Sequence, residues 1–485
     1  MFDDTIAAIA TPLGEGGLAV VRLSGPSALA IADKSFLPIG RNSLKPSAAP
    51  SHTIQYGKIV RHDQAVDQVL LAVLRAPRTY TCEDTVEITC HGGLLPAKLV
   101  LDTILANGAR PAEPGEFTRR AFLNGRLDLA QAEAVADLIH SRTELALAAA
   151  NEQLAGKLSQ RINELRDEMM KTLAHVEAHI DFPDEDIAPD TKDRLVKRLE
   201  DGVKFMDELL RTANEGQILR RGIRAAIVGR PNVGKSSLLN QLLGHDRAIV
   251  SPVPGTTRDT IEETANIRGL PVVFVDTAGL REARDEIEQE GIRRSHEMLA
   301  RAEFILHVLD ASESLTGADE KYLTEFANKK RIFVLNKTDL PQRLNLNHLN
   351  AFFNKPLAPS LSPQGGEKVS ARTGGANGSP PVAVGVCCLS GQGIEALKDA
   401  IKKRVWSGEI KAGMLQVMIN SRHQDALNRA RAATQRTIDA LRGDMTLELV
   451  AMDLRIVVNA VGEIVGKTAT EDLLDSIFSQ FCIGK

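Results

Sequence analysis

The rhythm of apolar positions changes three times along the chain, and each change marks a different class of element. Over residues 1–118 short apolar runs alternate with Gly/Pro turns, and "GLAVVRLSG", "DQVLLAVLRAP" and "DTVEITCHGG" predict strands. From 119 to 217 the spacing becomes three and four. Leu154, Leu158, Ile162, Leu165, Met169, Leu173 and Val176 fall on one stripe of a long helix. "DFPDEDIAPD" interrupts it, and Leu195, Leu199, Val203, Met206 and Leu209 mark a second helix. Residues 218–406 alternate strands ("RAAIVG", "VVFVDTAG", "FILHVLD", "RIFVLNK") with helical stretches, the pattern of a parallel α/β unit. After 407 helical spacing returns through Leu427, Thr434, Ile438 and Leu441, then Leu447, Val450, Leu454, Val457 and Val461.

The two helical regimes each carry an apolar stripe that needs a partner. One bundle built from both, with the α/β unit inserted between its helices, satisfies them. The predicted fold class is therefore multidomain α/β plus α. An N-terminal domain spans 1–118, helical segments span 119–217 and 407–485, and an inserted domain with a mainly parallel sheet spans 218–406. The Pro/Gly/Ser-rich stretch 354–381 buries too little apolar surface to order itself and is expected to be a disordered surface insertion.

Composition narrows the class. A chain of 485 residues exceeds one core, and 43% hydrophobic with 25% charged residues is the balance of a soluble globular protein. A formal charge of -4 leaves nucleic-acid contact to a local patch. The basic helix "SRHQDALNRARAATQRTIDALR" (421–442) is such a patch, although its one apolar stripe also fits a solvated bundle face. Cys82, Cys90, Cys387, Cys388 and Cys482 show neither CxxC nor metal spacing, which favours free thiols in a reducing cytoplasm. No apolar run approaches the roughly 18 residues that span a bilayer, so no membrane role is expected.

Candidate chemistry begins at "GRPNVGKSS" (229–237), a G-x-x-x-x-G-K-[ST] match between a strand and an apolar helix. In that setting Gly229 and Gly234 let backbone N–H groups wrap the phosphates, Lys235 neutralises the β/γ oxygens, and the Ser236 hydroxyl can ligate Mg²⁺, with Asn232, Val233 and Ser237 as further candidate nucleotide contacts. "DTAG" (Asp276, Thr277, Ala278, Gly279) ends another strand, with Asp276 placed to reach Mg²⁺ through water and the Gly279 N–H to sense a γ-phosphate. "NKTD" (336–339) ends a third, bringing Asn336, Lys337 and Asp339 to one loop. The Asp339 carboxylate suits the N1–H and amino group of guanine; adenine would leave it unpaired. "GTTRD" (255–259) adds a movable loop with Thr256 and Thr257. In this order, each at a strand end, the motifs resemble the translation-factor-related GTPases, and the chain is read as a GTP binder. A final guanine loop is expected near "CCLSGQG", with Ser390-Gly391 where a Ser-Ala pair is usual.

Leu280 follows "DTAG" where many regulatory GTPases carry a water-orienting glutamine, and the sequence identifies no arginine finger. The chain resembles potassium-activated GTPases. That resemblance implies a K⁺ held by Asn232, Ser251, Val253 and Thr256, with Thr257 beside Ser236 on Mg²⁺. Water orientation then falls to Glu288, which without the resemblance reads as part of a solvated helix face.

The ends of the chain add purpose. "ATPLGEGGLAVVRLSG" (10–25), "RPAEPGEFTRRAFLNGRLDLAQAEAVADLI" (110–139), "DFPDED" (181–186) and the terminal "FCIGK" closely resemble the bacterial and organellar tRNA-modification GTPases. The resemblance implies modification of C5 of the wobble uridine (position 34) by an aminomethyl-type group, in a heterotetramer with an FAD/NADH-dependent partner. It also implies a homodimer through a folate-binding-like N-terminal domain. A tetrahydrofolate (5,10-methylene or 5-formyl) would be held there by Arg22, Glu87, Arg126 and Lys485. Arg126 stands where some relatives have lysine, so a fork replaces a point charge. By the residues alone, Arg22 is either a snorkelling edge cation or a buried anion ligand, and Glu87 points outward. "CIGK" fits no prenylation signal. Cys482 is either a packing residue beside Phe478 and Phe481 or a participant in the chemistry. The competing reading is a regulatory or ribosome-assembly GTPase whose N-terminal domain only dimerises.

Overall fold

The computed structural model describes residues 3–40, 44–181, 189–244, 262–275, 299, 301–326, 329–345, 349, 382–406 and 415–485. Their contacts fall into two compact units, one of residues 1–139, 150–211 and 416–485, the other of 140–149 and 212–415.

The first unit opens with β1 (Ile6–Ile9), β2 (Leu18–Ser24), α1 (Ala28–Ser35), β3 (Phe36–Pro38), β4 (Thr53–Arg61), β5 (Gln64–Leu74), β6 (Thr85–His91), α2 (Leu94–Ala106) and β7 (Arg110–Pro111). The strands form one sheet in the order β3-β4-β5-β6-β2-β1-β7, antiparallel except for β1 and β7. Alternation decides which face is buried. Val21 and Leu23, Val69, Leu71 and Val73, and Val86, Ile88 and Cys90 turn toward one core with Ile31 of α1 and Ala97, Val100 and Ile104 of α2. The intervening residues occupy the other face. Because β2 lies between β6 and β1, Arg22 is not on an edge strand, which removes the snorkelling-edge reading.

The chain continues through α3 (Glu116–Leu123), α4 (Leu129–His140), α5 (Glu144–Leu154), α6 (Lys157–Asp181) and α7 (Pro189–Leu210). The predicted stripe is buried on α6 from Leu158 to Val176. Leu154 instead closes α5, because the chain turns at Gly156 before α6 begins. Only part of "DFPDED" falls within the described residues, and the 354–381 stretch lies outside them.

The second unit contains α8 (Ala213–Arg221), β8 (Ile223–Val228), α9 (Lys235–Leu243), β9 (Glu262–Ile267), β10 (Leu270–Val275), β11 (Phe304–Asp310), α10 (Gly317–Glu325), β12 (Lys330–Asn336), β13 (Val382–Gly385) and α11 (Ile394–Val405). Its sheet runs β13-β12-β11-β8-β10-β9. All neighbours are parallel except the β9–β10 pair. The near-continuous apolar runs of β8, β11 and β12 are those of strands buried on both faces.

The chain then returns to the first unit with α12 (Ser421–Arg442), α13 (Leu447–Ile464) and α14 (Glu471–Phe478). Helix α12 packs on α13 and α7, and α13 packs on α6, so both helical segments share one bundle as expected. A buried polar knot ties them. Glu133 of α4 receives Arg422 at 2.9 Å on each oxygen, His423 at 2.8 Å and Asn420 at 3.0 Å. Burial raises the Glu133 carboxyl, but the cations beside it win and hold it well below the usual range. Arg422 also donates to the carbonyls of Glu463 and Ile464. On the outside of α12, Arg429, Arg431, Arg436 and Arg442 pair with Asp425 and Glu463, Asp207, Asp453 and Glu200. The basic helix is thus a bundle face laced with ion pairs. No helix among the described residues is long and apolar enough to cross a membrane.

Candidate functional site

In the second unit the parallel strands end on one edge of the sheet, where loops from different strands meet. The "GRPNVGKSS" loop leaves β8 and enters α9 at Lys235. Gly234 takes φ 99°, and a Cβ there would lie 2.1 Å from Asn336 Nδ2, so only glycine allows this approach. Asn232 and Lys337 both take φ 63°, a costly conformation for a side-chain-bearing residue and one that gathers at functional loops. The Lys235 ammonium donates to the carbonyls of Gly229 (2.8 Å) and Arg230 (2.9 Å). Val233 is buried, whereas Asn232, Ser236 and Ser237 reach solvent at the mouth of the loop.

Asn336 is a brace rather than a surface group. Its Nδ2 donates to the Val233 carbonyl at 2.8 Å, and its Oδ1 accepts from the Cys388 N–H at 3.2 Å. It therefore ties the "GRPNVGKSS" loop to the loop after β13. Asp339 is exposed just beyond it. In the expected "CCLSGQG" loop, Ser390 is exposed in a turn where its Oγ accepts from the Gln392 N–H. The buried Cys388, whose carbonyl also accepts from Gln241 of α9 at 2.8 Å, makes the contact to Asn336. Ser251, Val253, Thr256, Thr257, Asp276, Thr277, Ala278, Gly279 and Glu288 lie outside the described residues.

The first unit holds the second constellation. Arg22 and Glu87 are register partners across β2 and β6. Arg22 Nε and Nη2 lie 2.9 and 2.8 Å from the same Glu87 oxygen, and Nη1 donates to the Gly484 carbonyl at 3.3 Å. The guanidinium also sits 5.6 Å from the Phe117 ring centre and 5.9 Å from that of Tyr80. Arg126 lies 5.5 Å from the same Tyr80 ring and donates to the Thr79 carbonyl. Tyr80 is therefore a shared aromatic wall between two cations. Burial raises its phenol, with the Thr118 hydrogen bond and both arginines opposing.

The tail closes this site. Gly484 takes φ 94°, and a Cβ there would lie 2.6 Å from the Ile9 carbonyl, so the chain end is wedged against β1. The Cys482 carbonyl accepts from the Gly115 N–H at 3.4 Å, while the residue itself is exposed. Burial and then Arg22 lower the Lys485 ammonium, against the pull of Glu87 and Cys482. Arg22, Glu87, Arg126 and Lys485 thus converge. Tyr80 and Phe117 stand beside them through ring–guanidinium contacts that the sequence does not signal, since their partners Arg22 and Arg126 are distant in the chain or on other elements.

Behind α3, Arg120 is fully buried among Asp4 (2.7 Å), Glu116 (3.0 Å) and Glu83 (3.2 Å). Glu83 in turn accepts from Ser24 at 2.7 Å. This network fixes the start of β1, the end of β2 and the loop that carries Tyr80. No cluster of three or more His, Cys, Asp or Glu able to hold a metal occurs among the described residues.

Comparison with known proteins places the chain in a family. A family model described as "GTP-binding protein TrmE N-terminus" matches residues 5–126, and one described as "MnmE helical domain" matches 129–482. The chain is 46% identical over 485 residues to the tRNA modification GTPase MnmE of Geobacillus kaustophilus (strain HTA426), covering 99% of each chain. It is 44% identical over 486 residues to that of Bacillus subtilis (strain 168), covering 99% of this chain and 100% of the other. Among solved structures, a variant of Aquifex aeolicus Era bound to GDP·AlF4⁻ aligns with 43% of this chain and 66% of its own, at 27% identity and a TM-score of 0.28. The chain belongs to the MnmE family of tRNA modification GTPases.

Proposed function

We propose that the chain uses GTP hydrolysis to drive the addition of a carboxymethylaminomethyl or aminomethyl-type group to C5 of the wobble uridine, position 34, of certain tRNAs. It does so in the cytoplasm with an FAD/NADH-dependent partner, as a heterotetramer. The observation that carries the one-carbon half of this reading is the Arg22–Glu87 pair under the folded-back tail. A GTPase that acted only as a switch would have no use for two arginines, a lysine and a carboxylate around one aromatic wall.

The residues fit a reduced folate. Glu87 is 31% exposed and suits the amino and ring N–H donors of a pterin. Arg22, Arg126 and Lys485 supply cations for the anionic end, and Tyr80 supplies a stacking surface. A 5,10-methylene- or 5-formyl-tetrahydrofolate bound there would supply the carbon. Cys482, exposed in the same tail as Lys485, is the candidate catalytic participant.

In the nucleotide site the Ser236 hydroxyl at the start of α9 fits Mg²⁺, shared with Thr257. The exposed Asn232 side chain fits K⁺, shared with Ser251, Val253 and Thr256. These ions would supply charge compensation in phosphoryl transfer, the role an arginine finger has elsewhere. Lys235, now on loop carbonyls 2.8 and 2.9 Å away, would exchange them for β/γ oxygens. Backbone N–H groups from Asn232 to Ser237 would wrap the phosphates, and Thr277, Ala278 and Gly279 would close on the γ-phosphate near Asp276. Asn336, Lys337 and Asp339 would frame the guanine beside the Ser390 turn, and Glu288 would orient the attacking water.

The homodimer has a surface to form on. One face of the first sheet is covered by α1 and α2, while the other exposes Leu18 (67%), Leu37 (57%), Ile54 (70%), Tyr56 (47%) and Leu70 (47%). Such an apolar face is costly to leave in water, and a second copy would cover it. The proposed division is 1–118, 119–217, 218–406 and 407–485. Mass spectrometry of wobble uridines tests the whole reading. The modified base disappears in cells lacking the gene and returns with the intact chain but not with Glu87→Gln. An unchanged uridine profile in the deletion would overturn it.

A further inference from the structure

Between the "GRPNVGKSS" loop and the "NKTD" loop runs β11, and the ten residues from its end, 310–319, grip both. Asp310 is the register partner of Asn336. One Asp310 oxygen accepts from the Ser312 N–H at 2.9 Å and from its Oγ at 2.6 Å. The other oxygen lies 2.6 Å from the Lys337 ammonium. The carboxylate is 2% exposed, so it holds its charge in a nearly dry setting, where an ion pair is strong and an unpaired charge is costly. Burial raises its pKa, but Lys337 and Ser312 outweigh burial and leave it lowered.

On the other side, Arg230 is the second residue of the phosphate-binding loop. Its Nη2 donates to Glu313, and its Nε lies 3.4 Å from the Asp319 carboxylate. Asp319 is fixed in turn by a capping box with Thr316 at the start of α10. Three acids within ten residues thus hold one cation from each nucleotide loop. Lys337 and Arg230 are long side chains with much rotamer freedom, and that freedom is removed in advance.

We propose that residues 310–319 form a positioning bracket that sets the placement of the phosphate loop and the guanine loop before nucleotide arrives. It acts on affinity for guanine nucleotides and stays out of the hydrolytic step. The bracket rests on the nucleotide-site reading given above. Pre-ordering of this kind lowers the cost of binding for diphosphate and triphosphate alike, because neither the γ-phosphate nor the attacking water touches it.

The test uses the full chain. Dissociation constants of fluorescent GDP and a non-hydrolysable GTP analogue are measured for wild type, Asp310→Asn, Glu313→Gln and Lys337→Met, and for Asp310→Asn combined with Lys337→Met. Turnover in potassium is measured alongside. Asp310→Asn is expected to weaken both nucleotides about tenfold, the loss of one charge-assisted hydrogen bond, and to raise KM by the same factor with kcat within about twofold. In the Lys337→Met background Asp310→Asn adds nothing, because its effect runs through that lysine. Glu313, 53% exposed, gives a second variant that leaves the buried carboxylate in place; its loss weakens both nucleotides by about threefold. Lower thermal stability with unchanged dissociation constants would overturn the bracket, as would a fall in kcat with KM unmoved. Wild-type protein that binds no guanine nucleotide would overturn the nucleotide reading itself, and the bracket with it.

Discussion

Arg22 and Glu87 face each other across two interior strands, and two nitrogens of the arginine share one oxygen of the glutamate at 2.9 and 2.8 Å. Each holds the other's orientation on the side of the sheet not covered by α1 and α2. Changing Glu87 to Gln keeps the shape and removes the charge. Affinity for a reduced folate should fall roughly ten- to a hundredfold, the range for a hydrogen bond to a charged group, with GTP turnover unaffected. Calorimetric titration with 5-formyl-tetrahydrofolate reads this directly. Equal affinity in the variant would detach Glu87 from the ligand.

GTP hydrolysis is expected to run much faster in potassium than in sodium at equal ionic strength. Asn232→Ala should erase the difference, since a cation at that position needs the side-chain oxygen. Phosphate-release rates in the two salts decide it, and equal wild-type rates would remove the cation from the account.

Asn336 joins two loops through both ends of its amide. Asn336→Ala leaves the Val233 carbonyl and the Cys388 N–H without their partner in the interior. Stability of the second unit should drop by about 1–3 kcal/mol, with weaker nucleotide binding. Hydrogen exchange of the β8 and β12 amides with and without GDP separates the two effects.

His307 on β11 is completely buried against Phe333, and neither ring nitrogen has a hydrogen-bond partner among the described residues. Burial first, and Arg331 second, push its imidazole down from 6.5 to about 3. The folded state therefore refuses a proton that the unfolded chain accepts. Above pH 6.5 this costs nothing; as pH falls from there toward about 3, stability of the second unit declines by about 1.4 kcal/mol per pH unit. His307→Leu should flatten that slope. Urea unfolding of both proteins at pH 7.5 and 5.5 measures it, and identical slopes would contradict the assignment.

Cys482→Ser should leave GTP turnover intact and abolish wobble modification. Full modification by the serine variant would leave this residue a role in packing alone, with Phe481 and Phe478 fastening the tail.

Much of this was legible in the chain. The strands "GLAVVRLSG", "FILHVLD" and "RIFVLNK" and the stripes of α6, α7, α12 and α13 follow from local periodicity, which depends only on neighbours a few positions away. What escaped depends on distant partners. Nothing near Arg22 says that Glu87, sixty-five residues on, stands opposite it or that β2 is interior. Cys388, inside the expected "CCLSGQG" loop, meets Asn336 through a backbone N–H that any side chain would supply, so no residue type marks that contact in the sequence. The break at Gly156 was hidden because Leu154 keeps the helical spacing across it.

The Glu133 knot also dictates an order of assembly. Arg422 lies 289 residues downstream of the carboxylate it neutralises. At about 5–20 residues per second, a ribosome would expose Glu133 some 15–60 seconds before that cation exists. During translation the entire GTP-hydrolysing module emerges, and can fold, while the helical frame of the first unit still has a seam open.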